Sequence, residues 1–192
     1  IMNVFLKLFF IFFLFINNTE AKDSYMIMKL KDGEVIIELF DDIAPNHVKR
    51  FKQLSKEKKY DGVVFHRVID GFMAQTGDIQ YGNSSLETFD IEKAGTGGSE
   101  FPDLKAEFSE LPHERGTLSM ARSGDPDSAN SQFFICFKSS PFLDRQYTVF
   151  GRVIKGMEFI DLIKKGSGSN GEVTNPDKII SLSGTFAPTA AE

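Results

Sequence analysis

The run Val64-Phe-His-Arg-Val-Ile-Asp-Gly-Phe-Met-Ala-Gln-Thr-Gly-Asp78 holds several chemically distinctive side chains at close spacing. Arg67 is followed five and six positions later by Phe72 and Met73, and then by Gln75. On two neighbouring strands, a cation, two large apolar groups and an amide would lie side by side. The set fits a binding site, and it also fits an amphipathic strand pair whose Phe and Met belong to the core. Taken alone, the spacing favours the core.

Other patterns that could support chemistry lack the context they need. Gly166-Ser-Gly-Ser-Asn-Gly171 matches the dinucleotide-binding pattern but follows a predicted helix, whereas that motif follows a strand and opens a helix. We interpret it as a helix C-cap and turn. His47, His66 and His113 stand singly, with no Cys or His at ligand spacing, so we predict no metal site. Ser-His-Asp chemistry stays open, although no G-x-S-x-G elbow supports it.

The composition describes an ordinary globular chain of one domain. The 192 residues are 41% hydrophobic and 26% charged, with a net charge of −5. A mildly acidic chain lacks the Lys/Arg excess that neutralises phosphates, so we predict no nucleic-acid partner. Cys136 is the only cysteine, which excludes an internal disulfide.

The N-terminal residues resemble a targeting segment rather than part of the fold. Leu8–Ile16 contains no polar residue but is too short to span a bilayer, which takes about 20 residues. Thr19 and Ala21 then offer a cleavage site, so residues 1–21 are predicted to be a signal peptide and residues 22–192 the mature domain. This predicts export to the periplasm or outside the cell. The alternative is an uncleaved anchor, because Val4-Phe-Leu6 could lengthen the apolar run.

Strand signals dominate the mature chain. Tyr25–Leu30 and Glu34–Phe40 are predicted to pair about a two-residue turn, for which Asp32-Gly33 would supply positive φ angles. A helix is predicted over Pro45–Lys58, because apolar residues recur every third position at Val48, Phe51 and Leu54.

Further strands are predicted over residues 63–69, 72–76, 117–121, 132–137, 147–153 and 179–184. A second helix is predicted over Met157–Lys165 and should end at Gly166. Many short strands, two helices and no βαβ alternation favour an antiparallel barrel or sandwich. The turn-rich stretches Gln80–Gly98 and Ser123–Asn130 are predicted to be exposed loops, where binding residues commonly lie.

Several ordered blocks resemble the cyclophilin family. Besides the run from Val64 to Asp78, they are Gly95-Thr-Gly-Gly98, Gly116-Thr-Leu-Ser-Met-Ala121, Ser131-Gln-Phe-Phe-Ile-Cys136, Phe142-Leu-Asp144 and Val149-Phe-Gly151. They stand in the family's order between about Tyr25 and Phe186. The resemblance implies a mainly β fold, an eight-stranded antiparallel β-barrel capped by two α-helices. It also implies peptidyl-prolyl cis-trans isomerase activity without a cofactor.

The resemblance assigns site residues one by one. Arg67 matches the catalytic arginine of the family. The proline pocket corresponds to Phe72, Met73, Phe134 and Leu143, and the groove for the backbone before the proline corresponds to Gln75, Ala121, Arg122 and Gln132. The implied partners are proline-containing polypeptides, namely unfolded exported proteins, bound by a monomer. The alternative is a cyclophilin-like binding module or holding chaperone, yet neither Arg67 nor the pocket is lost.

Three positions depart from the best-known eukaryotic pattern. Phe142 stands where many cyclophilins carry Trp, Tyr147 where they carry His, and Arg122 where Asn is common. Together these resemble the bacterial branch of the family. Phe142 and Tyr147 are the predicted substrate-binding residues at the pocket rim. Weak cyclosporin binding at most is predicted, because Phe142 lacks the indole N–H donor of the Trp-bearing relatives and Tyr147 alters the neighbouring rim. The loop Gln80–Lys93 is also longer than in the shortest members.

Overall fold

The computed structural model describes residues 25–185. The predicted signal peptide, residues 22–24 and residues 186–192 lie outside the described residues. Within the described part, the strands are β1 Tyr25–Lys29, β2 Glu34–Leu39, β3 Arg67–Ile69, β4 Met73–Thr76, β5 Thr117–Met120, β6 Phe133–Cys136, β7 Val149–Lys155 and β8 Ser181–Thr185. The helices are α1 Pro45–Lys56 and α2 Met157–Asp161, with a short 3-10 turn at Pro141–Leu143. Neither α-helix is long and apolar enough to cross a membrane.

The strands form one antiparallel sheet in the order β3-β4-β6-β5-β7-β2-β1-β8. The sheet curls until the segments leading into its two edge strands meet. Gly62 donates its backbone N–H to the Ile179 carbonyl at 2.8 Å, and Ile179 donates to the Val63 carbonyl at 2.9 Å. Phe65 donates to the Asp177 carbonyl at 2.9 Å. These bonds join the edges, and the predicted eight-stranded antiparallel barrel with two helices is confirmed.

Helix α1 packs its apolar face on the barrel. Val48, Phe51 and Leu54 are all buried, as their spacing predicts. The Phe51 ring lies 5.2 Å from the rings of both Phe133 and Phe150, measured between centroids. Burying such a ring stabilises a fold by about 1.5–3 kcal/mol. The helix ends two residues before the predicted Lys58, which adopts a left-handed φ of 57°.

The β1–β2 hairpin forms as predicted, but the predicted turn is wrong. Four residues, 30–33, separate the strands, and Leu30 donates its N–H to the Gly33 carbonyl at 2.9 Å. Neither Asp32 nor Gly33 has a positive φ. Gly33 is required for a different reason, because a Cβ there would meet the Phe159 ring of α2 at 2.4 Å. Tertiary packing, not turn geometry, selects this glycine.

Helix α2 also ends earlier than predicted, at Asp161, with Leu162 as its C-cap. Gly166 is therefore not the predicted cap. It lies beside Gly171 at the base of the turn 168–171, where a Cβ would meet the Gly171 carbonyl oxygen at 2.0 Å. Gly166 donates its N–H to the Val68 carbonyl at 2.9 Å, and Val68 donates to the Gly171 carbonyl at 2.7 Å. The Gly-rich segment 166–171 thus fastens to β3, and the predicted turn is present.

Candidate active site

Strands β3, β4 and β6 place the predicted site residues in a row. Arg67 on β3 lies opposite Gln75 on β4, which lies opposite Phe134 on β6. Residues opposite one another in a sheet share a face. Met73 lies two positions before Gln75 on the same strand, so it shares that face as well. The strand register therefore brings residues that are separated along the sequence onto one continuous surface.

An apolar pocket of about 380 Å³ opens on this surface. Its floor consists of Met73, Phe134 and Leu143, which are at most 7% exposed. A pocket that is apolar at its floor and bounded by a few polar groups suits a small ring. The residues that line it are Arg67, Phe72, Met73, Gln75, Ala121, Arg122, Phe134, Phe142, Leu143, Gln146 and Tyr147. Every predicted site residue except Gln132 is among them.

A chain of hydrogen bonds positions the guanidinium at the pocket edge. Arg67 donates Nη1–H to Gln75 Oε1 at 3.2 Å and Nε–H to the Asn170 carbonyl at 2.9 Å. Gln75 donates Nε2–H to Gln132 Oε1 at 3.0 Å, so Gln132 orients Gln75. Burial lowers the pKa of Arg67, whereas Tyr147 opposes that shift. An arginine still keeps its charge at neutral pH, because its ordinary pKa exceeds 12.

Gln132 is held in turn by the glycine-rich loop. Its Nε2 donates to the carbonyls of Gly95 at 2.9 Å and Gly97 at 2.8 Å. Gln132 and these glycines line a second cavity of about 450 Å³, which borders the apolar pocket along Gln75, Ala121 and Arg122. The two cavities together form a groove with an apolar end and a polar end.

Residues of the 3-10 turn and of the loop that follows it form the rim of the pocket. The turn directs Leu143 inward and leaves Phe142 63% exposed, with its ring 5.3 Å from the Phe72 ring. Tyr147 meets the Phe134 ring edge-on at 5.8 Å. The Arg122 guanidinium stacks 4.5 Å from the centre of the Tyr147 ring and donates to the Gln146 carbonyl. Arg122 therefore holds Tyr147 and the backbone at Gln146 in place at the rim.

Several groups that build the site were missed in the sequence. Gln146 lines the pocket, and the carbonyls of Asn170, Gly95 and Gly97 orient its polar side chains. Backbone carbonyls have no residue signature, so no pattern names them. An indirect sign of the Gly95 and Gly97 carbonyls in the sequence is the glycine block itself. Position 97 requires glycine, since a Cβ there would meet a carboxylate oxygen of Asp78 at 2.5 Å.

The structure does assemble a Ser-His-Asp relay, but below the pocket. His113 Nδ1 lies 2.9 Å from Asp144 Oδ1, and His113 Nε2 lies 3.0 Å from Ser119 Oγ. Ser119 is fully buried, and the His113 ring stacks beneath Phe134 at 6.1 Å. A nucleophile must reach its substrate, and this hydroxyl is inaccessible. The relay supports the pocket floor and is not a hydrolase site.

Cys136 offers no nucleophile either. The thiol is buried, and burial, with further contributions from Asp144 and Glu114, raises its pKa to about 12. The thiolate, not the thiol, is the reactive form, so Cys136 behaves as a core residue at neutral pH. Within residues 25–185, no group of three or more His, Cys, Asp or Glu side chains is placed to hold a metal ion.

A barrel with an apolar pocket, an adjoining polar groove and a fixed guanidinium defines a peptide-binding isomerase of the proline-specific class. The family model "Cyclophilin type peptidyl-prolyl cis-trans isomerase/CLD" matches residues 25–183. The chain belongs to this family, and it is an isomerase that acts on peptidyl-prolyl bonds.

Two bacterial relatives carry the name of the same activity. A Brucella suis protein named "Probable peptidyl-prolyl cis-trans isomerase" is 58% identical over 159 residues, which cover 82% of this chain and 81% of the relative. A Helicobacter pylori peptidyl-prolyl cis-trans isomerase is 40% identical over 160 residues, covering 81% of this chain and 90% of the relative. Both are bacterial, as the pattern at the rim predicts.

Solved structures share the fold. A cyclophilin from Hirschia baltica superposes with a TM-score of 0.71 at 28% identity, covering 86% of this chain and 76% of that one. A Cryptosporidium parvum cyclophilin, solved in the presence of the dipeptide Ala-Pro, gives a TM-score of 0.71 at 27% identity, covering 85% and 99%.

Proposed function

We propose that Arg67 is the principal catalytic residue and that the chain isomerises X-Pro bonds in unfolded exported polypeptides, acting as a monomer. The observation that carries the catalytic assignment is the Arg67 guanidinium, held at the edge of the apolar pocket by Asn170 and Gln75. The export role rests on the leader in the sequence, and the substrate class is supported by the Ala-Pro dipeptide used with the Cryptosporidium parvum relative.

The geometry matches the demands of the reaction. Rotation about an X-Pro bond breaks amide resonance at a barrier of about 18–20 kcal/mol and takes tens to hundreds of seconds unaided. In our proposal, the floor of Met73, Phe134 and Leu143 holds the proline ring. The polar groove at Gln75, Ala121 and Gln132 holds the preceding backbone, so the carbonyl between them can rotate. No covalent bond is made or broken.

Arg67 would act on the twisted state rather than on the bound planar one. As resonance is lost, the proline nitrogen recovers a localised lone pair. A pre-oriented guanidinium can donate to that nitrogen without reorganising at the moment of rotation. Interactions that strengthen only in the transition state raise turnover. Phe142, Leu143 and Tyr147 would border the proline, and Arg122 would brace them through Tyr147.

Arg67→Ala tests the catalytic assignment. We expect kcat/KM to fall by at least ~100-fold, or ~2.7 kcal/mol, because the transition state loses its donor. A protease-coupled assay on an Ala-Pro-Phe peptide measures this. Arg152→Ala is the control, since Arg152 is exposed and pairs with Glu38 away from the pocket. Near-full activity in a folded Arg67→Ala protein contradicts the assignment.

A further inference from the structure

A separate groove lies beside the isomerase site, between the loop Gln80–Gly98, which we call the long loop, and residues 172–178 before β8. We call it the loop groove, and its volume is about 900 Å³. Phe89, Ile91 and Ala94 line one wall, and residues 172–178 line the other. Val64 and His66 also line it. A concavity of this size can accommodate several side chains of a ligand.

His66 is a polar group without a partner at this groove. Its side chain is nine-tenths buried, at 7% exposure, and neither ring nitrogen has a hydrogen-bond partner within residues 25–185. Buried polar groups in folded proteins nearly always have one, so this exception requires an explanation. Burial lowers the pKa of His66 to about 4, against opposing contributions led by Asp78. The imidazole is therefore neutral at neutral pH, so this wall of the loop groove adds no charge and favours an uncharged ligand segment.

The walls of the loop groove suit an extended polypeptide segment. Ile91 is 41% exposed and Ile180 is 45% exposed, and the Phe89 ring adds a half-buried apolar surface. Charges of both signs flank these residues, with Glu92 on the long loop and Lys178 on the opposite wall. Mixed charge does not select an anion or a cation. Apolar side chains on a neutral backbone are the matching chemistry.

The loop groove adjoins the isomerase site along the chain, although the two share no lining residue. His66 and Arg67 are consecutive residues, so their Cα atoms are about 3.8 Å apart. Glu172, on the groove wall, pairs with Arg67 in an isolated antiparallel bridge. On the other side, Ala94 lines the loop groove and its neighbour Gly95 lines the polar cavity beside the proline pocket. One extended chain can therefore reach both places.

We propose that the loop groove binds an apolar segment of the same polypeptide whose proline occupies the pocket. The inference rests on the proposed function and goes further, because it assigns a preference for substrates with apolar residues a short distance from the proline. Binding at two linked places raises the effective concentration of the second contact. Short peptides would use the pocket alone, whereas unfolded proteins would use both.

A pair of matched peptides tests the proposal. Each peptide contains one Ala-Pro bond and, a few residues away, a triplet of either leucine or serine. Separate versions place the triplet before or after the proline. Exchange NMR measures isomerisation of each. We expect the wild-type protein to favour a leucine version over its serine counterpart by about fivefold in kcat/KM.

The double variant Ile91→Ser/Ile180→Ser should remove this preference and leave turnover of the serine peptide unchanged. Ile154→Ser is the matched control, because Ile154 is 41% exposed like Ile91 but lies on β7, outside the loop groove. The control should keep the preference. Thermal unfolding checks that all variants fold.

Three results would count against the proposal. Equal turnover of leucine and serine peptides by the wild type overturns the loop groove but leaves the isomerase function standing. A preference that survives in a folded double variant overturns it as well. Turnover of neither peptide overturns the proposed function, and the loop groove with it.

Discussion

Arg67 is oriented by two uncharged acceptors, the Asn170 carbonyl and the Gln75 amide oxygen. Neutral partners fix the direction of the guanidinium without cancelling its charge. A carboxylate in either place would form an ion pair and draw the donors away from the substrate. The choice of neutral partners therefore keeps the cation available to a developing lone pair, which is the electrostatic requirement of the proposed mechanism.

Phe142→Trp is expected to tighten cyclosporin while leaving peptide turnover almost unchanged. In Trp-bearing relatives the indole N–H is a donor at the rim, and a satisfied donor contributes about 0.5–1.5 kcal/mol. Phe142 keeps a ring against Phe72 but has no donor, and it is 63% exposed. We expect weak inhibition of the native protein and a gain of roughly tenfold or more in the variant.

Inhibition titrations of both proteins measure this, and Tyr147→Phe serves as the companion variant because its phenol borders the same rim. Nanomolar inhibition of the native protein, or no gain from Phe142→Trp, would mean that the drug contacts other residues.

His66 should make stability depend on pH in a defined window. Burial holds the pKa of the folded form near 4, whereas an unfolded histidine titrates at 6.5. Between these values the unfolded chain binds a proton that the folded chain does not. The free energy of unfolding should therefore fall by up to about 2–3 kcal/mol as pH drops from 6.5 towards 4.

Urea denaturation at a series of pH values tests this window, with His66→Gln for comparison. The variant should lose most of the slope above pH 5. Part of the slope should remain, because burial also lowers the pKa of His47. The lowered pKa of Glu107 adds to the loss only below its ordinary value of 4.5. A wild-type slope that persists unchanged in His66→Gln would refute the assignment.

One buried carboxylate, that of Asp78, fixes the long loop at both its ends. Asp78 Oδ1 accepts the N–H groups of Gln80 and Tyr81 at 3.0 and 2.9 Å. Asp78 Oδ2 accepts those of Gly95 and Gly97 at 2.7 and 2.9 Å. The same two glycines hold Gln132 through their carbonyls. Closure of the loop and placement of Arg67 are therefore linked through Gln132 and Gln75.

Asp78→Asn is expected to destabilise the fold by about 2–3 kcal/mol and to lower kcat/KM by roughly tenfold, because an amide NH₂ would face two N–H donors. Asp90→Asn is the control within the same loop. Asp90 accepts the N–H groups of Glu92 and Lys93 and pairs with Lys93 Nζ, all within its own loop. Its side chain is 34% exposed, so its loss should change neither quantity measurably.

Urea unfolding and the peptide assay give the two readouts. Repeating the peptide assay at a lower temperature, where more of the variant is folded, separates the two effects. Activity would recover if the variant lost only stability. Wild-type activity in a folded Asp78→Asn protein would show that the loop does not position Arg67.

The strands and helix α1 could be predicted from the sequence alone. Period-two alternation and ordered motifs predicted the strands and the apolar face of α1, because burial imposes both. The predictions for the turn at Gly33 and for the end of α2 were wrong, since each depends on distant partners. Gly33 lies against the Phe159 ring, and after α2 the Lys164 N–H donates to Asp177 Oδ2 and the Gly166 N–H to the Val68 carbonyl. The pocket side chains could be named from the family, whereas the carbonyls of Asn170 and Gly95 could not.

The two ends of the described chain lie side by side in the barrel. Tyr25 at the start of β1 pairs with Thr185 at the end of β8. Strand β1 is hydrogen-bonded on both sides, to β2 and to β8, so the barrel holds its first strand securely. Residues before Tyr25 are therefore not needed to complete the sheet of the described part, and cleavage after Ala21 would leave every one of these pairings intact.

We expect the leader to be removed on export, so that the mature chain begins near Lys22. The apolar run Leu8–Ile16 is shorter than the roughly 20 residues a spanning helix needs. Polar residues follow it, and then small Ala21 stands at a cleavable position. N-terminal sequencing of protein from the native host decides the point, with fractionation to locate the activity. An Ala21→Leu variant, which blocks the small-residue position, should accumulate with an intact leader in the membrane fraction. An intact Phe-rich start in the native protein, recovered with membranes, would instead establish the uncleaved anchor.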